Sequence, residues 1–118
     1  MQVRITMPAG VLSATLDDNP TARDFWAMLP LKLALEDYEG TEKVGMLARH
    51  LSMESAPEGA VPEAGDVAYY APWGNVALFY RGADHAHGLV RIGRLEGDLK
   101  LLTQSLSYAA TIERESSA

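Results

Sequence analysis

The clearest structural signal in this chain lies in residues 65–80, GDVAYYAPWGNVALFY. Two runs rich in aromatic and β-branched residues, Asp66–Ala71 and Val76–Arg81, flank the turn-forming segment Pro72–Asn75. This pattern predicts a β-hairpin with a tight connection. Large side chains occupy positions on both faces of these strands. Because strands covered on both faces occur in barrels and sandwiches, the hairpin is expected to lie inside such a structure.

The sequence on either side of the hairpin predicts six more strands, which are marked by alternating or clustered apolar residues. They are Val3–Met7, Val11–Leu16, Leu31–Leu35, Lys43–Leu47, Leu89–Leu95 and Ser107–Arg114. A charged turn is expected at Glu36–Glu42, a long surface loop at Ser52–Gly65 and a polar loop at Gly82–Gly88. Gly93 predicts a β-bulge in the strand that contains it.

A short helix is predicted between the second and third of these strands. Asn19 can cap it, with Pro20 at the first helical position, where the missing N–H costs nothing. Thr21 with Asp24 offers an alternative capping box. The helix is expected to stop before Pro30. Its apolar face is formed by residues at helical spacing, which are Ala22, Phe25, Trp26 and Leu29.

A second short helix is predicted within Gly97–Leu106, with Asp98 as its cap and Leu99, Leu102 and Leu106 on one face. No repeating β-α-β pattern is present, so a doubly wound parallel sheet is not expected. The sequence therefore predicts a mainly β fold. It is a small closed or nearly closed antiparallel barrel of about eight strands with two short capping helices, forming a single domain over residues 1–118.

Composition excludes several functional classes. The chain carries 10 Lys and Arg against 16 Asp and Glu, a net charge of −6, which disfavours binding to nucleic acid or to an anionic membrane. It contains no cysteine, and therefore no disulfide or thiolate zinc site. Without an apolar signal segment or a membrane-spanning stretch, the expected location is the cytoplasm. The last four residues, 115–118, are expected to fray.

The 65–80 segment resembles the small bacterial and archaeal cyclophilin-like family of uncharacterised proteins, which carries a Gly-Asp-x-x-Tyr-Tyr/Trp-x-Pro-x-Gly-x-x-x-x-Phe core. The helix that ends at Pro30, the Leu51-Ser52 step and the Leu89–Gly93 strand agree with this likeness, which covers roughly residues 3–114. The resemblance implies a compact barrel with capping helices. It implies no activity, because the family has none established, and only a weak link to flavodoxin-like redox partners.

True cyclophilins are peptidyl-prolyl isomerases, whose catalytic arginine lies in a Phe-His-Arg segment that precedes Gln-x-Gly-Asp-Phe. This sequence has no Phe-His-Arg; the nearest dipeptide, Arg49-His50, inverts the order, and Val67 stands where the phenylalanine of the second segment would. Isomerisation needs an apolar proline pocket beside a guanidinium that stabilises the twisted amide. No motif here pairs the two, so isomerase activity is not the preferred interpretation.

Five residues are candidates for ligand binding: Arg49, Tyr70, Trp73, Asn75 and Tyr80. Trp73 and Asn75, flanked by the two tyrosines, would present an aromatic ring and an amide at the rim of a groove. The alternative is ordinary turn chemistry, with the indole covering the barrel end. Arg49 is either a recognition group for an anion or carbonyl, or an exposed residue beside an acidic surface.

A cluster of possible metal ligands, Asp84, His85 and His87, lies on one predicted loop. Three ligands so close along the chain rarely complete a site, and only His50 adds a further imidazole, so neither a metal nor another cofactor is expected. The chain also lacks the sequence motifs of nucleotide-binding loops, serine hydrolases and zinc proteases.

These observations leave three hypotheses. The first is a non-enzymatic barrel that binds a peptide or a small molecule between the Ser52–Gly65 loop and the Tyr70–Tyr80 hairpin. The second is a diverged peptidyl-prolyl isomerase. The third is an oligomeric interaction module, such as a homodimer or a docking protein for a redox partner, in which an exposed aromatic residue at the hairpin is a hot spot.

Overall fold

The computed structural model describes residues 1–115 and shows the barrel that the sequence predicts. Its strands are β1 (Gln2–Met7), β2 (Gly10–Leu16), β3 (Leu31–Tyr38), β4 (Glu42–Met46), β5 (Gly59–Ala60), β6 (Asp66–Tyr70), β7 (Asn75–Phe79), β8 (Ala86–His87), β9 (Leu89–Glu96) and β10 (Ser107–Arg114). An α-helix, α1 (Pro20–Met28), and a 3-10 helix (Leu99–Thr103) complete the described elements.

Eight strands close into an antiparallel barrel in the order β1-β10-β3-β4-β7-β6-β9-β2, while β5 and β8 form a separate two-stranded sheet. The hairpin of β6 and β7 lies where the sequence places it, with Val67 opposite Leu78 and Tyr70 opposite Asn75. The predicted bulge is also present. Val67 pairs with Gly93 and Ala68 with Arg91, which leaves one extra residue on β9 between them.

The barrel interior is filled by one set of alternating side chains from each strand. Tyr69, Leu78 and Ile92 are fully buried there, and each such side chain contributes about 1.5–3 kcal/mol to stability. Helix α1 packs Ala22 and Phe25 against this core. The interior is therefore occupied by the protein's own side chains, which leaves the outer face of the barrel for ligands.

Helix α1 begins as the first of the two capping alternatives predicts. The side chain of Asn19 accepts a hydrogen bond from the N–H of Ala22 at 2.8 Å, and Pro20 is at the first helical position. The Thr21 capping box does not form, because its hydroxyl donates instead to the Ser52 carbonyl at 2.6 Å. That bond ties the helix to the start of the long loop.

Three details differ from the sequence predictions. The turn expected at 36–42 is shorter, because β3 continues to Tyr38 and Asp37 accepts a hydrogen bond from the Gly40 N–H. The second helix is a 3-10 turn that Asp98 caps, and Leu106 lies 77% exposed outside it. The strands β5 and β8 are too short to produce a periodic signal.

At the chain's end, the Glu115 N–H donates to the Gln2 carbonyl at 2.9 Å, so the expected fraying does not begin at that residue. Residues 116–118, for which fraying is also expected, lie outside the described part of the chain. Among the described residues, no helix is long and apolar enough to cross a membrane.

Candidate ligand-binding pocket

A pocket of about 550 Å³ lies on the outer face of the barrel. Its base is formed by outward side chains of β4 and β7, and register sets Glu42 opposite Phe79, Val44 opposite Ala77 and Met46 opposite Asn75. The β3–β4 turn, the β6–β7 hairpin, Pro62 and residues 82–86 form its walls. Pro62 of the long loop and several residues of the hairpin line the pocket, and the β3–β4 turn closes a side that the sequence did not indicate.

A small second apolar cluster supports this pocket. It packs outward side chains of the barrel strands against residues 58–62 and 82–88, which are called here the loop layer. Its fully buried members are Ala68, Ala77, Phe79 and Leu89. Two of the four are alanines, whose short side chains leave depth between the sheet and the loops. Larger side chains at these two positions would fill the space between the sheet and the loop layer, and no pocket would remain.

Three aromatic rings, Tyr38, Trp73 and Tyr70, line the pocket and are called here the aromatic trio. The Trp73 ring lies 5.4 Å from that of Tyr38 and 5.5 Å from that of Tyr70, in edge-to-face arrangements that are favourable for aromatic pairs. Trp73 is nevertheless 49% exposed. Gly74, at φ 68°, takes the left-handed conformation that the turn after Trp73 requires.

Asn75 is the most informative polar residue of the pocket. Its side chain is 2% exposed and lines the cavity. Among the described residues, its Oδ1 atom is the buried side-chain oxygen or nitrogen with no hydrogen-bond partner. Such an atom costs roughly 1–3 kcal/mol, because it loses water without gaining a protein donor. Asn75 thus places a buried, unpaired acceptor in the wall of the pocket.

The pocket is also acidic. Glu39, Glu42 and Asp84 line it, and none of its described lining residues is a lysine or an arginine. Burial raises the pKa of Glu42 to about 7; a hydrogen bond with Thr41 opposes this shift, and the charges of Asp37 and Glu39 add to it. The pocket wall therefore contains a carboxyl group whose pKa is about 7.

Glu58 links the two segments of the loop layer, which backbone pairing between β5 and β8 also joins. Its two carboxylate oxygens lie 2.8 Å from His85 Nε2 and 2.6 Å from His87 Nδ1, and its backbone carbonyl accepts from the Gly88 N–H. The Asp-His-x-His segment thus joins the two halves of the loop layer. In residues 1–115, no group of three or more potential ligands is arranged to hold a metal ion.

Tyr80, a sequence candidate, lies away from this pocket because β7 side chains alternate and Tyr80 falls on the opposite face from Asn75. Its hydroxyl donates to Asp37, and burial together with this bond raises the pKa of Tyr80 to about 12. Lys43 is buried nearby, 1% exposed, and donates to the carbonyls of Ser105 and Leu106. The structure therefore places Tyr80 in a polar cluster at the barrel end.

Arg49, the other candidate outside the pocket, makes a two-pronged ion pair with Asp24 of helix α1, with nitrogen–oxygen distances of 3.0 and 2.8 Å. This guanidinium lowers the pKa of Asp24, helped by the Ser52 N–H and opposed by burial. The pair fixes the segment after β4 to the helix. Arg49 is therefore engaged in a structural contact, and only Tyr70, Trp73 and Asn75 of the five candidates line the pocket.

Among the pocket residues that sequence reasoning missed are Tyr38 and Glu42. Both were assigned to a charged turn, although each terminates a strand and the two are paired in register. A signal was available: a large aromatic residue and an acid flank the tight turn Glu39-Gly40-Thr41. The contact of Tyr38 with Trp73 depends on β4 pairing with β7, which local sequence does not specify.

Comparison with known proteins agrees with the architecture. The model of the cyclophilin-like family matches residues 5–113, whereas none of the curated proteins matches the sequence significantly. The solution structure of a hypothetical protein from Archaeoglobus fulgidus is similar at a TM-score of 0.76 and 22% identity, over 98% of this chain and 95% of that chain.

A second solved structure, that of McbB in complex with tryptophan, is similar at a TM-score of 0.70 and 11% identity. The likeness covers 98% of this chain but 45% of McbB, so this chain corresponds to less than half of that protein. At these identities, both structures show that the fold is shared and nothing more specific.

Proposed function

This chain belongs to the cyclophilin-like family, and on that premise we propose that it is a binding module that takes a small molecule or a short peptide segment into the outer-face pocket. The observation that carries the proposal is Asn75 Oδ1, a buried acceptor without a donor among the described residues. Natural proteins rarely keep such an atom without a use, because its cost is a large fraction of the net stability of a domain.

The shape and lining of the pocket support the same proposal. Its volume of about 550 Å³ falls in the range of small-molecule sites, which are typically largely apolar with a few placed polar groups. The aromatic trio supplies the apolar contact area and Asn75 supplies orientation. McbB, which shares the fold, has been solved in complex with tryptophan, a molecule of a size that such a volume admits.

A prolyl isomerase step is not part of the proposal. Catalysis of that kind needs a cation beside the twisted amide, and the described pocket lining supplies carboxylates instead. Arg49, the nearest sequence match to the isomerase arginine, is paired with Asp24. The electrostatic character of this pocket therefore favours binding over isomerisation.

A second candidate function is a contact with another protein, including a second copy of this chain. Three large apolar side chains are exposed in or next to lining residues of the pocket. They are Trp73 in the wall at 49%, Met46 opposite Asn75 at 63% and Val61 before Pro62 at 62%. Clustered exposed apolar residues are typical of interaction surfaces. Light scattering over a range of concentrations separates the candidates, because a strict monomer that retains ligand binding argues against an obligate oligomer.

The direct test is a thermal-shift screen of metabolites and proline-containing peptides on the wild-type chain, on Trp73→Ala and on Val11→Ala. Val11 is also about half exposed but lies on β2, across the barrel, so its variant controls for the loss of an exposed apolar side chain. We expect Trp73→Ala to weaken a hit by about tenfold or more and Val11→Ala to leave it unchanged. A hit that Trp73→Ala does not affect would show that the pocket is not the site.

A further inference from the structure

The pocket has an uncharged amide at one end and carboxyl groups at the other. Asn75 lies at one end of the outward row of β7, and Glu42 lies opposite Phe79 at the other end of the same strand. Four residues of extended strand separate the two positions, about 13 Å at roughly 3.3 Å per residue. A hydrogen bond of about 3 Å at each end leaves about 7 Å of this gap, so one elongated small molecule can contact both ends.

At the Glu42 end, every charge in the pocket wall is negative. Glu39 and Glu42 come from the β3–β4 turn and its flank, and Asp84 faces them from the loop layer. Lys43 is on the opposite face of β4 and bonds Asp37 and two carbonyls. Arg81, whose backbone N–H donates to the Thr41 carbonyl, is not among the lining residues. The pocket therefore lacks an internal counter-charge for its carboxylates.

Tyr38 is paired in register with Glu42, so its side chain enters the pocket from the acidic end, and its ring packs edge-to-face against Trp73. Aromatic faces together with carboxylates attract organic cations, through the ring quadrupole and through charge-assisted hydrogen bonds. The same carboxylates repel an anion. The net charge of −6 on the whole chain acts in the same direction at long range.

We infer that the ligand of this pocket is an organic cation, a protonated amine on an apolar body about as long as the pocket, with a hydrogen-bond donor at its far end. The ammonium group lies between Glu42, Glu39 and the ring of Tyr38, the body packs under Trp73 and over Ala77, and the distal donor bonds Asn75 Oδ1. This inference rests on the proposed binding function and adds the charge of the ligand to it.

Three probes of nearly equal size test the charge. Tyramine carries an ammonium group and a phenol donor, tyrosol replaces the ammonium by a neutral hydroxyl, and 4-hydroxyphenylacetate replaces it by a carboxylate. Each is titrated at pH 8 while the indole N–H signals are followed by NMR. The chain has two tryptophans, so a Trp73→Phe variant identifies the pocket signal. We expect tyramine to bind about tenfold or more tightly than tyrosol, and the acid to bind least.

Two isosteric variants locate the effect. Glu42→Gln removes the charge in the pocket wall, and Glu54→Gln makes the same change on an exposed residue of the long loop that is not part of the pocket lining. We expect Glu42→Gln to weaken tyramine about tenfold without affecting tyrosol, and Glu54→Gln to affect neither. Dispersed amide spectra of both variants show that they are folded.

The outcomes distinguish the inference that the ligand is a cation from the proposal that the pocket binds a ligand. If tyrosol binds as tightly as tyramine, or if Glu42→Gln leaves tyramine unchanged, the cation inference is overturned while the pocket remains a binding site. Equal weakening of tyramine by the two glutamine variants also overturns it, because the effect is then one of net charge. If none of the probes shifts the Trp73 indole signal, the inference and the proposed site both fail for ligands of this class.

Discussion

Replacing Asn75 by leucine is expected to stabilise the fold and to weaken ligand binding. The side chain is 2% exposed and its Oδ1 has no donor among the described residues, which costs about 1–3 kcal/mol. Leucine has the same branching at Cγ, and the adjacent cavity gives room for its methyl groups. The free energy of unfolding should therefore rise by about 1–3 kcal/mol, or roughly 4 °C in Tm for each kcal/mol in a chain of this size.

The assay is urea unfolding followed by tryptophan fluorescence, with Asn19→Leu as the matched control. Asn19 is chemically identical, but its Oδ1 accepts from the Ala22 N–H at 2.8 Å as the cap of helix α1. Its loss should lower stability by about 0.5–2 kcal/mol. Because both variants make the same substitution, residue-specific effects on the unfolded chain cancel between them.

The effect of Asn75→Leu on ligand affinity is expected to be unfavourable, in contrast to its effect on stability. Asn75→Leu should weaken tyramine and tyrosol alike, by about tenfold, because both donate a phenol hydrogen to the lost acceptor. A gain of stability that accompanies a loss of binding is typical of a functional residue. If Asn75→Leu instead destabilises the chain as much as Asn19→Leu does, Oδ1 has a donor within the folded protein, and the reasoning from an unused acceptor is wrong.

Three further predictions follow from the charged groups. Lys43→Met should lower the free energy of unfolding, measured in urea, by about 3–5 kcal/mol, because it leaves the partly buried Asp37 without its cation. Adding Asp37→Asn to this variant should recover part of the loss. If Lys43→Met alone is as stable as wild type, the ion pair does not stabilise the fold. The pKa of Glu42 is about 7 in the folded chain against an ordinary 4.5, so the stability that its protonation provides is complete below pH 4.5 and is lost as the pH rises through 7. The difference in unfolding free energy between wild type and Glu42→Gln should therefore change across that window, and a constant difference from pH 4.5 to 8 would refute the shift. In a protease-coupled assay on several Xaa-Pro peptides we expect no rate above the uncatalysed one; an acceleration that Arg49→Ala abolishes would return that residue to a catalytic role.

The local sequence was sufficient to predict the elements that are determined by interactions between residues close in the chain. The hairpin of β6 and β7 follows from two apolar runs around Pro72–Asn75, and the start of α1 follows from Asn19 before Pro20. The bulge opposite Val67 follows from Gly93, where a Cβ atom would lie 2.6 Å from the Thr15 carbonyl oxygen. In each case the residue that determines the geometry lies within the element it shapes.

Contacts between strands that are distant in the chain could not be predicted from the sequence. Tyr38 reaches Trp73 only because β4 separates β3 from β7 in the closed barrel, and no local pattern specifies that order. Lys43 is charged, yet it is buried because the carbonyls of Ser105 and Leu106 converge on its amino group from the other end of the chain. Tyr80 was assigned to the pocket by proximity along the chain, although the two-residue period of β7 places it on the other face from Asn75.

The strand β7 explains why the pocket lies outside the barrel. All five of its residues are buried, but they are covered by two different layers: Val76 and Leu78 by the barrel interior, Ala77 and Phe79 by the loops that β5 and β8 join. The interior layer is filled by bulky residues such as Tyr69 and Leu78. The loop layer leaves a cavity that Ala77 and Asn75 line, and Asn75 is the polar residue that an apolar layer would exclude. The proposed binding function accounts for this arrangement, because a ligand in the pocket would complete the cover over β7 beside the buried amide of Asn75.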